Sequence, residues 1–277
     1  MITPGVFCAL VFALSPSDEP TVDKSQYNLF NPTPAALMRE MTTDRPDTTE
    51  SPFTVDAGHL QIELSFVEYL RDGRADSYSV MPTNFRLGVL ENLEFALVVS
   101  PFIHAESPSD DASGTFTSDS GFGDLELRAK INLWGNDDGR TALALMPFIS
   151  FPTAADNLGS EQIEGGLIVP FAMALDDVWN LGLMAEFDLV HDADRDAYDL
   201  DFVHTATIGR DLFGPLGGYL EYIGSISTAP SSPYLALLGV GLTYAINDNW
   251  QLDAGINIGL NDAADDLNPF IGMAIRF

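Results

Sequence analysis

Alternation of apolar and polar residues, sustained over segments of about a dozen residues, constrains this chain more than any other feature. In Trp250-Gln251-Leu252-Asp253-Ala254-Gly255-Ile256-Asn257-Ile258-Gly259-Leu260-Asn261, the Trp, Leu, Ala and Ile side chains share one face. Gln, Asp, Gly and Asn share the other. In Asp124-Leu125-Glu126-Leu127-Arg128-Ala129-Lys130-Ile131-Asn132-Leu133, every second residue is charged or an amide. A period of two is that of a strand with unlike faces. It predicts twelve strands, at about 58–70, 77–90, 94–105, 120–133, 140–151, 162–174, 179–191, 199–212, 216–228, 234–246, 250–261 and 267–277. Strands of soluble proteins have a modal length near 5–6 residues, whereas tilted membrane strands need roughly 9–11.

A soluble sandwich would turn its polar faces to bulk water, and a membrane barrel would turn them to a lumen. Length favours the membrane, and so do the connections. Glu91-Asn92-Leu93, Asp176-Asp177-Val178, Phe213-Gly214-Pro215 and Asn247-Asp248-Asn249 read as tight turns. The longer acidic stretches 106–119, 152–161, 192–198, 229–233 and 262–266 alternate with them. Short turns on one rim and long loops on the other are the outer-membrane arrangement, and an even strand number returns both ends to the periplasmic rim. Trp134, Trp179 and Trp250 flank short turns, as a girdle would. The last predicted strand carries Ile271, Met273, Ile275 and Phe277 on one face. Its edge needs a partner, which barrel closure supplies. The fold class is therefore all-β, an antiparallel transmembrane barrel of about twelve strands.

Hydrophobic residues make up 46% of the 277, yet no run of eighteen apolar residues follows position 15, which excludes helical membrane spans. A net charge of −29 argues against a nucleic-acid partner. The one cysteine, Cys8, sits in Val6-Phe7-Cys8-Ala9-Leu10-Val11-Phe12-Ala13-Leu14, which has the length of a signal-peptide core but lacks a basic flank. Residues 1–15 are thus expected to be a signal-peptide remnant, and 16–57, rich in Pro and polar residues, a periplasmic arm or plug. The barrel is expected over 58–277. Pro32 and Pro34 suggest a short helix through Ala35–Met41.

Thr43-Asp44-Arg45-Pro46-Asp47-Thr48-Thr49-Glu50-Ser51-Pro52 leads into Gly58-His59-Leu60-Gln61-Ile62-Glu63. With Ser120-Gly121-Phe122-Gly123-Asp124 and Glu164-Gly165-Gly166, these segments resemble the bacterial outer-membrane "transporter" family named for the meta-cleavage pathway of phenol degradation. The resemblance covers roughly residues 43–277 and implies an outer-membrane barrel with a transport role. No substrate is carried over. In physical terms Pro46 and Pro52 keep the motif out of a central strand. Asp44, Arg45, Asp47 and Glu50 make it too polar for lipid. Arg45, a rare cation, is expected to pair with a lumen carboxylate unless the segment is simply a solvated leader.

Alternation assigns fourteen charged residues to the lumen: Glu63, Arg86, Glu94, Asp124, Glu126, Arg128, Lys130, Glu164, Glu186, Asp188, Asp201, Glu221, Asp253 and Arg276. Twelve strands about 4.8 Å apart, tilted about 40°, enclose a backbone radius of roughly 12 Å and leave at most about 10 Å between side chains. Such a lumen suits small solutes and disfavours anions. The opposing reading pairs these charges into a network that closes the barrel, leaving a structural or surface-anchoring role.

Catalysis finds no support: His59, His104, His191 and His204 stand in no nucleophile or metalloprotease motif. His191–Asp199 spaces acids as calcium loops do, but Ala197 and Val203 replace the Gly and Glu such a loop needs. No cofactor and no metal site is expected. The expected partners are outer-membrane lipid, the barrel-assembly machinery through the strand ending at Phe277, an unidentified small solute, and weakly held divalent cations at the acidic loops.

Overall fold

The computed structural model describes residues 23–109, 115–193 and 195–277. The signal-peptide expectation for 1–15 lies outside them. Fifteen strands form a single antiparallel sheet: β1 (Leu60–Asp72), β2 (Ala75–Val80), β3 (Thr83–Leu90), β4 (Leu93–Val99), β5 (Phe102–Pro108), β6 (Phe116–Gly121), β7 (Leu125–Trp134), β8 (Thr141–Phe151), β9 (Glu164–Ala174), β10 (Trp179–Asp192), β11 (Ala197–Phe213), β12 (Leu216–Ser227), β13 (Leu235–Asn247), β14 (Trp250–Gly259) and β15 (Leu267–Arg276). Twelve of them, β1, β3, β4 and β7 to β15, close into a ring. Closure is made by β15 against β1, from Gln61↔Arg276 to Arg71↔Leu267, so no edge is left in the ring.

Three of the twelve expected strands are interrupted. The segment expected at 77–90 breaks at Met81-Pro82 into β2 and β3, that at 94–105 breaks at Ser100-Pro101 into β4 and β5, and that at 120–133 breaks at Phe122–Asp124 into β6 and β7. Pro82 and Pro101 have no N–H for a ladder, and Met81 adopts φ 57°. The breaks lie side by side, because Ser65 N–H donates to Pro82 O and Gly123 N–H to Ser100 O. β1 passes through the same level with a register shift between Ser65 and Val67. Below this crease β1 pairs with β3; above it, β1 pairs with β2, which pairs with β5, which pairs with β6. The upper pieces form an extension of the wall outside the ring.

Turns and loops alternate between the rims. Residues 91–92, 135–140, 175–178, 214–215 and 248–249 connect strands at one end, and 152–163, 193–196, 228–234 and 260–266 at the other. The outward face is apolar: Phe95, Leu127, Ile131, Leu183, Leu220, Val240, Leu242, Leu252 and Ile271 are all exposed. The inward face is polar and covered, with Arg86 and Thr207 0% exposed and Gln61, Glu94, Lys130 and Glu221 each 1% exposed. This inversion of a soluble protein's pattern is what a lipid solvent requires. The short helix expected through Met41 is reduced to one 3-10 turn, Ala35–Leu37. Met38 is already extended there, and Arg39 N–H is drawn off to Asp56 Oδ2 at 2.9 Å.

Trp134, Trp179 and Trp250 all stand at the short-turn rim, and Trp179 carries the Arg210 guanidinium over its ring at 4.8 Å. In single-tryptophan variants reconstituted in bilayers, Trp179 and Trp250 are expected to be quenched more by lipids brominated near the headgroup than by lipids brominated at the chain ends. Stronger quenching by the deep bromines would contradict the rim placement.

Candidate functional site

Residues 42–57 enter the ring and occupy its short-turn half. Ser51 to Ala57 are buried without a break, although this segment contributes no strand to the wall. Gly88 permits the approach, since a Cβ there would strike the backbone oxygen of Asp56. The contact is mostly polar. Its small apolar part sets Phe53 against Ala142, Ala172 and Ala174, three alanines that leave room for the ring.

Arg86 on β3 is the centre of the polar part. Its Nε lies 2.9 Å from Glu94 Oε1, its Nη1 donates to Glu63 Oε1 at 2.7 Å, and its Nη2 donates to Phe53 O at 3.0 Å. Asp44 of the arm closes the set, 3.2 Å from Arg86 Nε and 2.5 Å from Lys130 Nζ. The carboxylates also receive arm backbone: Asp44 N–H donates to Glu63 and Val55 N–H to Glu94 Oε2 at 2.6 Å. Two cations and three carboxylates from the wall and the arm are thus desolvated together. Such a cluster holds only while each charge keeps its partners.

The rest of the motif is spent in the same way. Arg45 binds Asp253 through two parallel hydrogen bonds, 3.1 and 2.7 Å, and donates to Ser65 Oγ at 2.7 Å. This two-pronged geometry belongs to a guanidinium and not to an ammonium. Its peptide bond to Pro46 is cis. Gly272 leaves space for the guanidinium on the facing wall. Glu50 pairs with Arg128, which also holds Glu126. Glu221 accepts Thr48 N–H, Thr49 N–H and Thr49 Oγ1–H at 2.8, 2.7 and 2.6 Å. Ser51 N–H donates to Asp44 Oδ1, Asn132 Nδ2 to Pro52 O, and Tyr219 Oη reaches Pro46 O at 3.4 Å. Asp47 Oδ2 is buried with no hydrogen-bond partner.

At the mouth on the short-turn side, Asp56 gathers Arg39, Arg276 and Lys24 at 3.3, 3.7 and 3.8 Å. Arg276 Nη1 also donates to Arg39 O at 2.9 Å. His59 joins Thr33 O to Phe277 O, at 2.8 and 2.9 Å, tying the arm to the strand that closes the ring.

Of the fourteen residues assigned to the lumen, nine meet the arm or its partners: Glu63, Arg86, Glu94, Glu126, Arg128, Lys130, Glu221, Asp253 and Arg276. Glu186, Asp188 and Asp201 lie on β10 and β11 above the arm, with Asp188 directly opposite Asp201 in the ladder. Glu164 sits at the long-loop rim and accepts His191 N–H at 2.8 Å. Asp124 is engaged by a loop and not by the arm. It lies in the break before β7, where its carboxylate accepts Thr153 N–H and Ala154 N–H at 2.8 Å and Ser160 N–H at 2.7 Å. It therefore organises the loop after β8. Sequence reasoning missed Asp56, Ser65, Thr49 and Asn132 as contact residues: Thr49 stood in the motif and Asn132 in the alternation, but residue type singled out none of the four.

Replacing Arg86 with Met leaves Asp44, Glu63 and Glu94 partly uncompensated. It is expected to cost about 3–5 kcal/mol of unfolding free energy, read by urea titration of the refolded barrel in detergent. Arg71→Met, which removes an exposed pair with Asp76 at the opposite rim, leaves the midpoint unchanged. Equal midpoints for the two variants would remove Arg86 from its central place.

Comparison with known proteins agrees with this architecture. Residues 43–277 match the family described as "Putative MetA-pathway of phenol degradation". A crystal structure of the COG4313 outer membrane channel from Pseudomonas putida F1 superposes with a TM-score of 0.59 at 14% identity, over 85% of this chain and all (100%) of that one. The OmpT loop L8 deletion mutant of Vibrio cholerae gives a TM-score of 0.41 at 9% identity, over 79% and 98% of the two chains. The CymD monoaromatic hydrocarbon channel gives 0.40 at 11%, over 79% and 87%. No curated protein matches in sequence. The match runs from Thr43, one residue inside the segment that fills the lumen, to Phe277; the chain belongs to this phenol-degradation MetA-pathway family and is an outer-membrane β-barrel.

Proposed function

We propose that the protein is a passive channel for small solutes, closed at rest by residues 42–57 and lined above that plug by acids. The observation that carries the reading is the chemistry of the plug contact. The arm is held by ion pairs and hydrogen bonds, such as Arg45 with Asp253 and Thr48 and Thr49 with Glu221. A permanent core would be expected to use apolar packing, which needs no exchange of partners. Polar contacts can trade partners with water one at a time, as a plug that moves must do.

Above the plug, Glu186, Asp188 and Asp201 face the lumen without an ion pair among the described residues. The cations of the lumen are engaged: Arg128 by Glu50 and Glu126, Arg45 by Asp253. The vestibule therefore offers carboxylates without a paired cation among the described residues, which favours cations over anions. A second reading, a closed surface-anchoring barrel, draws on the complete burial of Arg86 and Lys130 beneath the arm. The same reading of the wall makes outer-membrane lipid its partner and β15, the strand that closes the ring, its handle for barrel assembly.

Thr49 and Thr205 bring their Oγ1 atoms within 2.5 Å across the arm–wall contact, and the sequence holds no cysteine after Cys8. A Thr49→Cys, Thr205→Cys pair in a Cys8→Ser background is expected to abolish conductance in a planar bilayer when oxidised. Reduction should restore cation-preferring openings. Conductance unchanged by oxidation would show that solutes bypass the plug. No conductance when reduced, nor after deletion of residues 20–57 with folding shown by heat-modifiable migration, would favour the closed barrel.

A further inference from the structure

On the vestibule side of the plug lies a cavity of about 210 Å³ that is walled half by the arm and half by the barrel. Asp44 to Thr48 form one side; Glu68 on β1, Asn257 on β14, and Asn268 and Phe270 on β15 form the other. At ~30 Å³ per molecule this is room for about seven waters. Its chemistry is lopsided. The Arg45 guanidinium is turned to Asp253 and Ser65. Asn257 Nδ2 donates to Asn268 Oδ1 at 3.2 Å, and Asn268 Nδ2 donates to Tyr69 O at 2.9 Å.

The acceptors are less occupied. Glu68 receives Ser65 Oγ–H at 2.6 Å on one oxygen and has no ion pair among the described residues. Asp47 has no ion pair there either, and its Oδ2 has no hydrogen-bond partner. The Phe270 ring supplies a face that already attracts one cation, Arg45, at 5.8 Å from its centre. Carboxylates without an ion pair, an arginine already bound to Asp253 and an aromatic face make a poor host for an anion. They suit a compact group that only donates and carries positive charge.

We propose that this cavity binds a small primary ammonium solute, with Glu68 as its main counter-charge and Phe270 against its alkyl part. Arm and wall both line the cavity, so a bound ammonium bridges them and the site exists only while the plug is seated. The proposal deepens the channel reading by naming a solute class, and takes its physiological meaning from that reading.

Calorimetric titration of the full chain, refolded in detergent, with n-butylammonium chloride tests it, with sodium butyrate and n-butanol as controls at matched ionic strength. Saturable binding of butylammonium alone is expected, weakened about tenfold or more by Glu68→Gln and unchanged by Glu106→Gln, an acid outside the cavity on β5. Asn268→Asp, which adds a carboxylate to the wall, is expected to tighten binding and stands in if Glu68→Gln does not fold. Absence of saturable binding, equal binding of butanol or butyrate, or indifference to both cavity variants would overturn the proposal. Because binding is read without current, a barrel that binds butylammonium but never conducts would sink the channel reading and leave the site standing.

Discussion

A guanidinium with no exposed surface sets the terms for the whole lumen. Arg86 is surrounded by Glu63 and Glu94 from the wall and by Asp44 and the Phe53 carbonyl from the arm. Isolated in a medium of low polarity, any of these charges would carry a large desolvation penalty. Together they satisfy one another, but only in one arrangement, since a bidentate contact to Glu94 fixes the plane of the guanidinium. The arm cannot slide along the wall without leaving a charge unmatched. Its register is therefore set by electrostatics more than by shape.

The same logic explains how so acidic a chain can hold a polar interior. Only 12 Lys and Arg stand against 41 Asp and Glu. Lys24, Arg39, Arg45, Arg86, Arg128, Lys130 and Arg276 all lie within or at the mouth of the arm–wall contact. Cations are concentrated where burial makes pairing indispensable, and the vestibule and outer loops keep the surplus of carboxylates. Charge is thus distributed by depth. The pairs that would be worth little in water lie where the local polarity is low.

Much of the wall was legible in the sequence because a two-residue period states directly which side chains face lipid. Trp250 to Gly259 could be assigned face by face, and the turn residues at 214–215 and 248–249 gave the rims. The crease was less legible: Pro82 and Pro101 stood in the expected strands, but a proline alone does not say whether a strand ends, bulges or merely lies at an edge. The path of the arm was hidden for a different reason. A segment without periodicity has no face to read, and its partners, such as Asp253 for Arg45, lie some two hundred residues away. The motif showed which residues were polar and extended, and only the tertiary structure could say where they go. Asp124 shows a complementary gap: its alternation with Glu126 was regular, but the loop its carboxylate gathers could not be read from the period.

The crease divides the molecule into two mechanical tiers. Below it, every ladder is part of a closed hoop, and a slipped pair would propagate around the circumference. Above it, β2, β5 and β6 hang from β1 as an open sheet, steadied at the far edge by the loop that Asp124 gathers and by Ala155 N–H on Phe122 O. Errors in that upper tier need not reach the hoop. A change confined to β2, β5 and β6 can therefore be absorbed there while the closed tier that seats the arm stays fixed.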